Sequence, residues 1–183
     1  MNKTKTFKAA LLAVSLLALP VAYAATMTKA DYKAGKTRVS ADYKTDKAAC
    51  ASQTANAKDI CQQEAKAKEK VALAELEYAY TGKAADRNKV LVVKAESAYA
   101  VAKERCDDQS GNAKDVCVKE AKAVETKALA DAKMGKEIGE ARKDAATDKL
   151  DADYKVAIEK CDALTGDAKG TCVAAAKTTF GKS

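Results

Sequence analysis

Histidine and tryptophan are both absent from this chain, and its only proline is Pro20. Without histidine there is no Cys-His or Ser-His nucleophile pair, no imidazole metal ligand and no side chain that shuttles protons near neutral pH. Phosphate-cradling glycine loops, dinucleotide fingerprints and nucleophile elbows are missing as well. The cysteines do not occur as Cys-x-x-Cys, so neither a zinc ribbon nor a thioredoxin-like centre is indicated. Carboxylates such as Asp107, Asp108, Asp151 and Asp153 read as helix caps and solvated faces, because an acid–base pair needs a cleft to work in. The chain therefore reads as a non-enzyme with no catalytic residue, no cofactor site and no metal site.

The scarcity of proline and glycine has a second consequence. A chain rich in Ala, Lys and Glu with 8 glycines is strongly helical by propensity. The one β-like run, Val90 to Val93, lies in a stretch where Val92, Ala95, Tyr99, Ala102 and Cys106 follow helical spacing, so the helix prevails. The apolar fraction of 48% is largely alanine, and Phe180 is the one phenylalanine outside the first residues. A core this thin calls for covalent help.

That help is present as a repeat. Six cysteines fall into three pairs, each eleven residues apart: Cys50 and Cys61, Cys106 and Cys117, Cys161 and Cys172. Between them the same turn recurs: Ala55-Asn56, Gly111-Asn112 and Gly166-Asp167, each followed by Ala-Lys. Gly111 and Gly166 suit the left-handed position just past a helix end, and Asn56, Asn112 and Asp167 suit the N-cap of the next helix. Asp59 and Asp115 would come next in the first turn, at the positive end of the helix dipole. Each cysteine lies five residues from its turn, so an antiparallel helix pair brings both sulfurs to one height, about 7 Å from the turn. Three disulfide-stapled helical hairpins result, and alanine-rich flanks permit the close approach a disulfide needs.

The flanks obey the same geometry. Tyr43, Tyr99 and Tyr154 each lie seven residues before the first cysteine of a pair, and Ala65, Ala121 and Ala176 each four after the second. Steps of three and four keep these residues on one helical face, so the tyrosines belong to the seam between paired helices. Tyr32, Tyr78 and Tyr80 are less constrained and could pack at helix contacts or line a groove that takes a peptide.

Four helices are expected: from Thr28 to about Thr54, from near Ala57, from near Ala113, and from near Ala168 to Phe180. The second and third are long, about 80 Å each, if they run through Thr81-Gly82 and through Gly135 to Gly139. In that form the short outer helices pack at one end and leave a two-helix arm. The fold class is all-α, an elongated set of antiparallel helical hairpins, and residues 25–183 form a single stapled domain.

Residues 1–24 read as a secretory signal peptide. Lys3, Lys5 and Lys8 form a basic start, Ala9 to Leu19 an apolar core, and Ala22-Tyr23-Ala24 a small-x-small cleavage site, so cleavage is expected after Ala24. No cysteine sits near that site, and no later run is long enough to span a membrane. The net charge of +7 includes those three lysines, so the processed chain would carry +4 with both signs closely mixed. That balance suits solvated helix faces with i,i+4 pairs. It lacks the clustered arginines and aromatic platforms of a nucleic-acid binder. An even cysteine count in an exported chain favours disulfides, and the bacterial style of the leader places the protein, soluble, in the periplasm.

With this leader, Ala/Lys/Glu-rich helices and paired cysteines, the chain resembles a group of small Ala/Lys-rich helical periplasmic proteins of proteobacteria that are often labelled TolA-like cell-envelope proteins. Rigid, repeated, stapled helices with no site chemistry point to a non-enzymatic periplasmic structural or interaction protein of the cell envelope, with a protein or other envelope component as partner. An alternative is a holdase-type chaperone or peptide-binding module presenting an alanine-lined groove. A third reading is metal sequestration through thiols and carboxylates. Helical arms with long seams also favour coiled-coil self-association, so a homodimer fits this chain.

Overall fold

The computed structural model describes residues 27–182; the expected signal peptide and its cleavage site at Ala24 lie outside the described residues. Five helices succeed one another: α1 Lys29–Ala49, α2 Ala55–Thr81, α3 Ala84–Cys106, α4 Gly111–Asp162 and α5 Gly166–Thr179. A single 3-10 turn, Cys50–Ser52, extends α1. No strand occurs among the described residues, as the helical propensities dictate.

Helix α1 starts on a full capping box. The Thr28 hydroxyl accepts from the Asp31 N–H at 3.1 Å, and the Asp31 carboxylate accepts from the Thr28 N–H at 3.3 Å. The three cysteine pairs are all bridged, with Cα atoms 5.6, 5.7 and 5.6 Å apart. Each turn begins alike: the N–H three residues after the first cysteine donates to that cysteine's carbonyl, from Gln53, Gln109 and Leu164. Positive φ falls at Ala55, Gly111 and Gly166, at the expected places. Their role differs from expectation. The preceding helices end four or more residues earlier, so these residues lead into the next helix instead of closing the last one.

The N-caps are corrected accordingly. Thr54, Ser110 and Thr165 occupy them in extended backbone, with no side-chain cap bond. Asn56, Asn112 and Asp167 lie two residues further on. Asp59 and Asp115 fall beyond the first turns, neither of which holds an acid.

The expected second long helix is divided. Gly82 adopts φ 63°, and its N–H donates to the Tyr78 carbonyl at 2.8 Å, a left-handed cap that ends α2. Asp86 then lies in the first turn of α3, and the Thr81 hydroxyl donates to its carboxylate. Gly135 and Gly139 interrupt nothing, and α4 continues for 52 residues, about 78 Å. The physical difference lies in the residues beyond each glycine. Gly82 is succeeded by a residue set that can found a new N-terminus, whereas Lys136, Glu137 and Glu140 continue a helix through i,i+4 pairs. The described residues thus form five helices with one long, where four with two long were expected, and the two-helix arm is replaced.

Each helix packs against its neighbours in sequence and, among the described residues, against no other helix. Helices α1 to α4 therefore lie side by side as an open row, and α5 folds back on the far end of α4. Burial is correspondingly sparse. The first cysteine of each pair is buried, together with Ala65, Ala74, Val90, Ala95, Ala132 and Ala176. Gly35 is buried where α1 meets α2; a Cβ there would stand 2.8 Å from Leu76 Cδ1. Alanine and glycine at these contacts let the backbones approach, which is what a row held by narrow seams requires.

Candidate interaction surface

The seam tyrosines lie where the repeat predicts, half-buried in each case. Each carries a lysine ammonium near its ring: Lys47 at 5.9 Å from Tyr43, Lys122 at 4.9 Å from Tyr99 and Lys182 at 5.9 Å from Tyr154. Phe180 meets Tyr154 edge-on at 6.1 Å between ring centres, which seals the last hairpin. The three staples share local chemistry unequally. In the second and third, the acid after the first cysteine pairs with a lysine of the returning helix: Asp107 with Lys114 at 3.0 Å and Asp162 with Lys169 at 2.9 Å. In the first, Ala51 takes that place.

The structure brings the first two staples together. Asn56 Nδ2 donates to the Glu104 carbonyl at 3.0 Å and to Asp108 Oδ1 at 2.7 Å. This contact between hairpins, and not the capping of α2, is what the Asn56 side chain does. Beside it, Arg105 Nη2 pairs with Glu64 Oε1 at 2.6 Å. The third staple joins Cys161 at the far end of α4 to Cys172 in α5, whose first residues are Gly166 and Asp167.

Between α2 and α3 runs an open groove of about 470 Å³. Ala67, Val71, Ala98, Val101 and Ala102 line it, with Arg105, Glu64, Lys68 and Lys94 at its rim. Ser97 also lines it, and its Oγ is buried without a hydrogen-bond partner among the described residues. An unsatisfied buried hydroxyl is costly, on the order of 1–3 kcal/mol. It marks a polar demand at the floor of an otherwise apolar channel. A second groove of about 400 Å³ lies between α1 and α2 beside Val39, Tyr43 and Ala72.

Two side chains have shifted protonation equilibria. The Tyr32 hydroxyl donates to the Glu77 carboxylate, and this bond raises the phenol above its ordinary pKa. Tyr32 also stacks on Tyr80, with ring centres 4.5 Å apart. Glu125 is buried against Lys122, whose ammonium lies 2.5 Å from Oε2 and is raised in pKa by that hydrogen bond. Sequence reasoning missed Gly35, Glu125 and Ser97 as structural positions. Gly35 carried a signal, a glycine inside a helical pattern, which often marks close backbone approach. Of the less constrained tyrosines, Tyr32 and Tyr80 pack on one another, and both Tyr78 and Tyr80 are exposed.

All six cysteines are in disulfides. No group of three metal-ligating side chains occurs among the described residues, and no helix there is long and apolar enough to cross a membrane. Comparison of the chain with protein families, with curated proteins and with solved structures returns no significant match.

Proposed function

We propose that this protein is a non-enzymatic structural and interaction component of the periplasm, of the kind labelled TolA-like in the cell envelope. The observation that carries this reading is the set of three disulfide-stapled hairpins on an open helical row. Disulfides persist in oxidising compartments, and a row of narrow seams offers long accessible faces and little enclosed volume. Such a body holds a shape and presents surfaces; it does not enclose a reactant away from water. The test is cell fractionation and then intact-mass measurement, with alkylation before and after reduction. Residues 1–24 should be missing, the protein should be released with the periplasm, and no thiol should react until reduction. Retention in the cytoplasm, free thiols, a stoichiometric metal or turnover of a substrate would each overturn the reading.

The groove between α2 and α3 supports a second reading, a holdase or peptide-binding module. Its alanine and valine walls suit an apolar segment, and the unpartnered Ser97 hydroxyl could meet a peptide group. This reading expects suppression of client aggregation at near-stoichiometric ratio, reduced by Ala98→Glu. No suppression by the unmodified protein defeats it.

A further inference from the structure

Helix α4 uses one side for its contacts with the rest of the chain. At about 100° per residue, Cys117, Ala121, Glu125, Ala132, Tyr154 and Cys161 share that side, where the helix meets α3 and then α5. All six are buried or half-buried. The opposite side carries a line of apolar residues from Val116 to Ala163, interrupted by Glu120, Lys127 and Glu159. Val116, Met134, Ile138 and Val156 on it are 47, 54, 45 and 54% exposed, and the alanines between them are exposed too.

The line has a regular period. Ala123, Met134, Ala145 and Val156 are eleven apart, and so are Ala130, Ala141, Ala152 and Ala163. Eleven residues make 3.67 per turn, so the line drifts by only about 20° per repeat and suits a slight right-handed coiling. A helix exposed only for solubility has no reason to hold this period for three cycles.

We infer that this back of α4 is the interface for a second copy of the same chain, paired antiparallel about a two-fold axis between Gly139 and Glu140. In that register every large residue of the line meets an alanine: Met134 faces Ala145, Ile138 faces Ala141, Val156 faces Ala123 and Val116 faces Ala163 of the second copy. Alternation of large and small across a seam is what interdigitated packing needs. The flanking charges are mixed, and each contact occurs twice by symmetry: Asp131 approaches Lys149 and Glu120 approaches Lys160, while Glu120 also faces Glu159 and Lys127 faces Ala152. Glu137 approaches Asp144 of the second copy, but it is already paired with its own Lys133 at 3.8 Å.

The area is sufficient. From Val116 to Ala163 the line is about 72 Å long at 1.5 Å per residue, and a strip about 10 Å wide removes roughly 700 Å² per chain. The total, about 1,400 Å², falls in the range of stable specific interfaces. The pairing also covers residues 133–150, all of which are exposed in the single chain. It does not depend on where in the cell the protein resides.

Sedimentation equilibrium on the disulfide-intact protein at tens of micromolar tests it. The expected mass is twice that of the chain. Met134→Glu and Ile138→Glu should each weaken the association at least a hundredfold while leaving helical content unchanged. Ala146→Glu, off the line, should leave it intact. A nitroxide at Lys155→Cys should lie about 50 Å from its counterpart, and one at Arg142→Cys within about 20 Å. A monomer at that concentration, a dimer indifferent to both line substitutions, or a short Lys155 distance overturns the proposal.

Discussion

Two stretches of one helix, residues 111–132 and 133–150 of α4, differ in what holds them and in composition, the second being richer in charge and poorer in alanine. The first presents Cys117, Ala121, Glu125 and Ala132 to α3, and the bridge to Cys106 fixes its start. The second holds two glycines and has every residue exposed. Its local support comes from the pairs Lys133–Glu137 and Lys136–Glu140, at 3.8 and 3.7 Å. Such exposed pairs contribute a few tenths of a kcal/mol each, and lysine before glutamate is the weaker order. A buried seam thus supports the first stretch, whereas in the exposed one propensity and such pairs must hold some 27 Å of helix.

Removing bridges should separate the regions most. Cys106→Ser with Cys117→Ser should lower the main unfolding free energy by about 3 kcal/mol, read by urea denaturation. Cys161→Ser with Cys172→Ser should leave that transition in place and melt α5. Its 14 residues bury only Ala176 and are near the length at which isolated helices become marginal. Equal loss of stability in both variants would mean that α5 folds as one unit with the row.

A proline should act next. Ala146→Pro costs about 3 kcal/mol in a helix interior. Amide exchange should rise around residues 142–150, while protection in α2 and α3 persists. A uniform loss of protection would contradict the difference between the two stretches.

Glycine replacement works in the other direction. Neither Gly135 nor Gly139 has an atom within 4 Å of an added Cβ. Gly135→Ala and Gly139→Ala should each stabilise the exposed stretch by about 1 kcal/mol, seen as slower local exchange. Gly35→Ala is the contrast, because its Cβ would press on Leu76, and it should lose part or all of that gain.

The smallest effect concerns pH. Tyr32 and Lys122 have pKa values raised in the folded state above their ordinary 10.0 and 10.5. Their contribution is complete below those values and is lost as pH rises through the folded ones. Stability should therefore fall above about pH 10, and less steeply in Tyr32→Phe with Lys122→Met. An unchanged slope in that double variant would remove these two groups as the cause.

Much of this architecture was legible because it is local. The cysteine spacing, the recurrent turn and the tyrosine seven residues before each pair are all readable within one hairpin, and the bridges and seam positions lie where they indicate. The capping roles of Asn56, Asn112 and Asp167 were not legible. A left-handed residue after a helix and one before a helix look the same in sequence, and the contact from Asn56 to Asp108 spans 52 residues. The break at Gly82 and the continuity at Gly139 were equally ambiguous, since the decision rests on what Asp86 and Thr81 do together. The stack of Tyr32 on Tyr80 and the unpaired Ser97 depend on which helices become neighbours, which no single periodicity records.

The order of the bridges has a consequence for how the chain matures. Six cysteines can be joined in fifteen ways, and here each takes the next one along the chain, eleven residues on. A polypeptide that emerges from its N-terminus and is oxidised as it appears meets each correct partner before any wrong one. Its thiols need no reshuffling, so an oxidase alone, without an isomerase, can complete the molecule.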